Sequence, residues 1–192
     1  MTQKKIIKSI CVFCGSRYGS NSKYKEAAIE LGHLIAKKNL TLVYGGGNIG
    51  LMGSLASSAQ NKNCNILGVI PEHLMKAEVG KTNLKNLTVT QDMHERKSLM
   101  YNQSDAFIVL PGGVGTLDEF FEILTWSQLK LHQKPIILIN TDNFWNPLLD
   151  LLQHQIKMGF MDQSINLLFF TVPTPEAAIT HLLNSKRQLS PE

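Results

Sequence analysis

Cysteine is scarce in this chain, with three in 192 residues. So small and odd a number excludes a disulfide-stapled scaffold. Cys11 and Cys14 stand three apart in a strand-like run, where an odd separation puts side chains on opposite faces, so neither a zinc site nor a redox pair is expected. Long hydrophobic runs are missing too. No stretch approaches the roughly 18 apolar residues that cross a bilayer, and the Lys-rich start, Lys4 to Lys8, leads into a short strand rather than a signal-peptide core. No membrane segment is expected, and the cytoplasm is the expected location. An excess of one charge is also lacking, because 19 Lys and Arg against 15 Asp and Glu leave only +4. The cations are scattered without interleaved aromatics, which argues against a nucleic-acid partner and suits a small anionic substrate. None of the six His residues falls in a metal-binding spacing such as His-Glu-x-x-His, so no metal or other cofactor is assigned.

What is present reads as one globular unit. The 43% hydrophobic and 18% charged content is ordinary for a folded domain, and 192 residues suit a single one, 1–192, with a core of about 8–184. Short β-rich runs recur at Ile10 to Cys14, Thr41 to Tyr44, Ile66 to Ile70, Leu87 to Thr90, Ala106 to Leu110, Ile136 to Asn140 and Leu167 to Val172. Amphipathic stretches alternate with them, notably Ser22 to Lys38 and about Thr116 to His132, and Thr174-Pro175 opens a last helix as N-cap and first residue. Such alternation predicts an α/β fold with a mostly parallel sheet of about seven strands. The longest irregular stretch, Pro71 to Asn86, is placed to cover a site. In such sheets ligands bind beyond the carboxyl ends of the strands.

Three turns after strands therefore matter. Cys14-Gly15-Ser16-Arg17 follows the first strand, and its small residues let a ligand approach the backbone. Gly45-Gly46-Gly47-Asn48-Ile49-Gly50-Leu51-Met52-Gly53 opens a helix and matches a dinucleotide fingerprint through Gly45, Gly47 and Gly50, with Glu72 near the place of the expected acid. Its alternative reading is tight packing of helix on sheet, above all for Gly50 and Gly53. The third turn, Pro111-Gly112-Gly113-Val114-Gly115-Thr116-Leu117-Asp118-Glu119, is the strongest signal. Its glycines leave bare N–H groups before a helix whose N-terminus carries roughly half a positive charge, a cradle for phosphate. Thr116 and Glu119 also have capping-box spacing, which needs no substrate. That second reading leaves Gly112 and Gly113 unexplained. Upstream, Met93-His94-Glu95-Arg96-Lys97 is either a solvated charged face or a helix from which Arg96 forks onto a phosphate or ribose and pairs with Glu119. His94 reads as a structural or surface residue.

Taken together, Gly-Gly-Gly-Asn-Ile-Gly-Leu-Met-Gly, Met-His-Glu-Arg-Lys, Pro-Gly-Gly-Val-Gly-Thr-Leu-Asp-Glu and Thr125-Trp126-Ser127-Gln128-Leu129, in this order, resemble the LONELY GUY family from Cys11 to about Phe160. The resemblance implies a Rossmann-like three-layer fold, usually dimeric. It also implies hydrolysis of the N-glycosidic bond of adenine-type nucleoside 5′-monophosphates, AMP or prenylated cytokinin forms, to free base and ribose 5-phosphate. Carried over by motif, Arg96 and Glu119 form the catalytic pair and residues Gly113, Val114, Gly115 and Thr116 the phosphate cradle. Glu78, Lys97 and Thr125 are further substrate contacts. Gly15, Ser16, Gly45, Gly46, Met93, Gly112, Leu117 and Asp118 complete the expected binding set. Two positions depart from the family pattern: Lys81, where His is frequent, and Lys130, where Gly is usual before His-x-Lys-Pro. The rival readings are a non-catalytic nucleotide or cofactor carrier, an NAD-dependent enzyme using Gly45 to Gly50, and a lysine decarboxylase. The last lacks a pyridoxal-phosphate lysine motif.

Overall fold

The computed structural model describes residues 6–75 and 84–184. Within these residues seven strands form one sheet: β1 (Ser9–Phe13), β2 (Thr41–Tyr44), β3 (Ile66–Pro71), β4 (Asn86–Thr90), β5 (Ala106–Val109), β6 (Ile136–Ile139) and β7 (Phe170–Val172). Every neighbouring pair is parallel, in the order β4-β3-β2-β1-β5-β6-β7. Among the described residues six helices connect and cover them: α1 (Ser22–Lys37), α2 (Gly50–Gln60), α3 (Met93–Asn102), α4 (Val114–Gln128), α5 (Asn146–Lys157) and α6 (Pro175–Asn184).

Period-two alternation along the central strands makes the three layers. Ile10, Val12 and Cys14 face one core with α1, α2 and α6. Cys11 and Phe13 face the other, with Met100 of α3, Phe120, Ile123 and Leu124 of α4, and Leu148 and Leu152 of α5. The opposite facing of Cys11 and Cys14 follows the expectation, and burial, with Glu119 nearby, pushes the Cys11 thiol well above the ordinary range. All of β1 after Ser9, and all of β5 and β6, is buried, as strands covered on both faces require.

Several element ends differ from the sequence expectation. The long helix starts at Val114 and stops at Gln128, so His132 lies outside it. The run from Leu167 splits: residues Gln163–Leu167 form a 3-10 turn and only Phe170–Val172 pair with β6. Apolar content there resembled a strand, but the turn is begun by Asp162, whose side chain accepts the Ser164 N–H at 2.8 Å. Helix α5 had no strong glycine or motif signal. It carries Pro in its first turn and buries Leu148 and Leu152 one helical turn apart.

Strand order reverses at β1. The chain winds outward through β2, β3 and β4, then returns to place β5 on the other side of β1. The turns that follow β1 and β5 diverge at this switch point and leave a crevice between them.

Candidate active site

A cavity of about 410 Å³ fills that crevice. Its floor is the end of β1, and its walls are the turn after β1, the turn after β5, and the buried side chains Arg96 and Glu119. The two turns are joined where the Gly15 N–H donates to the Pro111 carbonyl at 3.0 Å.

Helix α4 supplies one wall of the cavity. Its N-cap is Gly113, with no side-chain cap and no acidic residue in the first turn. The N–H groups that side chains ordinarily satisfy at a helix start are thus left bare at the cavity. A side chain on Gly113 or Gly115 would meet open space, whereas one on Gly112 would collide with the Thr116 hydroxyl. Gly112 therefore lets the chain fold back over Thr116, and Gly113 and Gly115 keep the approach clear for a ligand. Thr116 and Glu119 do not form the capping box that their spacing allows. Both lie inside the helix, because α4 starts two residues before Thr116, and Glu119 turns to Arg96 instead.

A capping arrangement does occur on α3. Asp92 accepts the Glu95 N–H at 2.8 Å, and Glu95 accepts the Gln91 N–H at 2.8 Å. The spacing Asp-x-x-Glu was readable in the sequence. By fixing the start of α3, it sets which face carries Arg96 inward. Arg96 Nη2 reaches Glu119 Oε1 at 3.3 Å, and Nε donates to the Val69 carbonyl at 3.3 Å. Arg96 and Glu119 are only 6% and 7% exposed, so the pair is formed away from solvent, where charge complementarity is worth most. His94 is exposed, as expected of a surface residue.

Room for Arg96 comes from Gly45. A Cβ there would collide with the guanidinium. The second turn is filled by the protein itself. Gly46, at φ 75°, packs on Ile70 and Leu87, and a Cβ on Gly50, at φ 59°, would strike the Ser16–Arg17 backbone. Gly53 lies against the Asn48 carbonyl. The packing alternative thus holds for Gly50 and Gly53 and extends to Gly46. Glu72 is exposed and does not line the cavity.

Of the expected binding residues, Gly15, Ser16, Gly45, Gly112, Gly113, Val114, Gly115 and Thr116 line the cavity with Arg96 and Glu119. Gly46, Met93, Lys97, Leu117, Asp118 and Thr125 do not. Lys97 and Asp118 pair with each other at 3.2 Å, and Lys97 also reaches Glu122 at 3.0 Å, so they clamp α3 to α4. Burial alone lowers the Lys97 ammonium, but its hydrogen bonds to Glu122 and Asp118 prevail and hold it above the ordinary value. Met93 Sδ lies 3.7 Å from Arg96 Nη1, beside the guanidinium rather than in the cavity. Thr125 is exposed on the outer side of α4. Glu78 and Lys81 lie outside the described residues. Sequence reasoning missed Tyr24 and Phe144, an edge-to-face pair at 5.4 Å on the cavity rim. Their separation in the chain left no local signal. Among the described residues no group of His, Cys, Asp and Glu could hold a metal, and no helix is long and apolar enough to cross a membrane.

A protein-family signature described as possible lysine decarboxylase matches residues 52–182. Over 173 residues the chain is 43% identical to a probable cytokinin riboside 5′-monophosphate phosphoribohydrolase of Oryza sativa subsp. japonica, covering 90% of this chain and 71% of that protein. It is 40% identical over 180 residues to a cytokinin riboside 5′-monophosphate phosphoribohydrolase of Arabidopsis thaliana, covering 94% of this chain and 84% of that one. Among solved structures, the molybdenum cofactor carrier protein of Chlamydomonas reinhardtii superimposes with a TM-score of 0.68 at 20% identity, over 92% of this chain and 98% of that one.

Proposed function

This chain belongs to the LONELY GUY family, and from that premise and the cavity above we propose that it hydrolyses the N-glycosidic bond of adenine-type nucleoside 5′-monophosphates. The products are the free base and ribose 5-phosphate. The observation that carries this reading is the buried Arg96–Glu119 pair set beside the uncapped start of α4 in one cavity.

Each part has a chemical task. The bare N–H groups of residues 113–116 and the helix dipole take the 5′-phosphate. That anchors the sugar with its anomeric carbon toward Glu119, and apolar Leu51, Met52, Tyr24 and Phe144 offer surface for the base. Cleavage passes through an oxocarbenium-like sugar. The Glu119 carboxylate stabilises that positive charge and orients a water for attack on C1′. The water oxygen bonds to C1′ as the C1′–N9 bond breaks, the base leaves with the bonding pair and is protonated from solvent, and the proton of the water passes to Glu119 or solvent. Arg96 holds Glu119 in position. Arg96→Ala accordingly lowers kcat/KM by about a thousandfold, the scale of losing one preorganised charged contact.

Decarboxylation of lysine, the activity in the family signature's description, finds no support in the cavity. No lysine lines it among the described residues to form a Schiff base with pyridoxal phosphate. The carrier reading draws on solved structures at 20–24% identity, a likeness of fold alone. Incubation of the protein with AMP and with isopentenyladenosine 5′-monophosphate, followed by chromatography, yields base and ribose 5-phosphate in equal amounts. Tight nucleotide binding without base release would favour a carrier. A homodimer in the cytoplasm completes the proposal. It is supported by Leu129 and Leu131, which are exposed just beyond α4, and light scattering at twice the chain mass tests the dimer.

A further inference from the structure

Charge accounting in the cavity singles out a residue that the motifs do not. Among the described residues, the cations lining it are Arg17 and Arg96. Arg96 is engaged with Glu119 at 3.3 Å, so the two together add no net charge. Lys97 is held outside by Asp118 and Glu122. The start of α4 offers roughly half a positive charge. A phosphate monoester near neutral pH carries about −1.5 to −2. Helix and ion pair together thus leave roughly one negative charge uncompensated.

Arg17 lines the same cavity. It belongs to the turn after β1, which the Gly15 to Pro111 hydrogen bond joins to the glycine turn at 3.0 Å. The contact is close: a Cβ on Gly15 would lie 3.3 Å from the Gly112 Cα. Arg17 is exposed, and no carboxylate pairs with it among the described residues. Its backbone is fixed from the other side by Gly50, whose lack of a side chain lets α2 press against residues 16 and 17. A cation with a positioned backbone, unpaired with any carboxylate among the described residues and lining the same cavity as an uncapped helix start, is suited to an oxyanion.

We propose that Arg17 is the phosphate-selecting cation of this site, supplying the charge that the glycine turn lacks and so favouring phosphorylated nucleosides over free ones. The inference rests on the phosphoribohydrolase reading only for the identity of the phosphate ester. Its test is made with the intact protein and two variants, Arg17→Gln and Arg17→Lys. Calorimetry with ribose 5-phosphate, binding of adenosine, and KM for AMP are measured together with the melting temperature. The Gln variant binds ribose 5-phosphate about tenfold more weakly and raises the KM for AMP to match, the scale of one partly solvated charged contact. The Lys variant recovers part of the loss. Adenosine affinity and melting temperature do not move, which a merely structural role would not produce. Equal ribose 5-phosphate affinity in wild type and Gln variant overturns the proposal, as does no phosphate binding by wild type. If wild type releases no base from AMP yet binds ribose 5-phosphate in an Arg17-dependent way, the glycosidase reading falls and Arg17 stands. Base release with an unchanged KM in the Gln variant gives the reverse.

Discussion

Gly45 shows how a residue without a side chain can make room for a charged one. In sequence it belongs to a run that reads as a dinucleotide fingerprint, yet in the fold its missing Cβ is occupied by the Arg96 guanidinium. Gly45→Ala therefore displaces Arg96 from Glu119 without disturbing the sheet. It is expected to lower kcat at least about tenfold while the far-UV circular dichroism and the affinity for ribose 5-phosphate stay near wild type. Retained activity would mean that the guanidinium is not needed at its observed place. At this scale the sequence conveyed identities better than relations. The glycine turn of residues 111–116 and the pair Arg96 and Glu119 were readable from type and order. The assignment of Lys97 and Asp118 to substrate was readable only as motif, and the structure uses them to clamp α3 to α4 at 3.2 Å. A charged side chain near a site is equally suited to both tasks, and only the fold decides between them.

Helix ends carry the element-scale lessons. After α1, Asn39 takes φ 54°, with the Leu40 N–H donating to the Ile35 carbonyl and that of Asn39 to Ala36. After α4 the same closure recurs, Leu131 to Trp126 and Lys130 to Ser127, but the left-handed position is held by Lys130 at φ 60°. The departure from the family's usual glycine thus has a physical cost in helix ending. Lys130→Gly is expected to stabilise the fold by about 1 kcal/mol, roughly 2–4 °C in Tm, measurable by calorimetry. Between α1 and α6, Glu30 and Glu176 share a hydrogen bond, which with burial and mutual repulsion raises Glu30 to about 7 and holds Glu176 below its ordinary value. A raised folded value means that the native state keeps a proton the unfolded chain has lost between pH about 4.5 and about 7. The contribution of Glu30 is therefore fully present below its unfolded value and lost as pH rises through the folded one. Glu30→Gln, which cannot lose that proton, should show a smaller fall in Tm than wild type from pH 5 to 8; equal slopes would refute the shared proton. Neither contact was visible in sequence, because each depends on packing or backbone geometry that periodicity does not encode.

For the whole molecule, alternation of short strands and amphipathic helices was enough to foresee a parallel α/β sheet, since such strands need crossover helices and bury both faces. Strand order was not legible. It follows from where the chain reverses, between β4 and β5, and that reversal puts residues 14–17 beside residues 111–116 although they lie far apart in sequence. Tyr24 and Phe144 reach the rim by the same route. The central claim is that this crevice cleaves glycosidic bonds through Glu119 and does not merely hold nucleotides. Glu119→Gln tests it most directly, because the amide keeps the shape beside Arg96 and removes the carboxylate. Base release from AMP is measured by chromatography alongside calorimetric binding of ribose 5-phosphate. The account predicts that release falls on the order of a thousandfold while binding changes by no more than about threefold. Base release at the wild-type rate would contradict it.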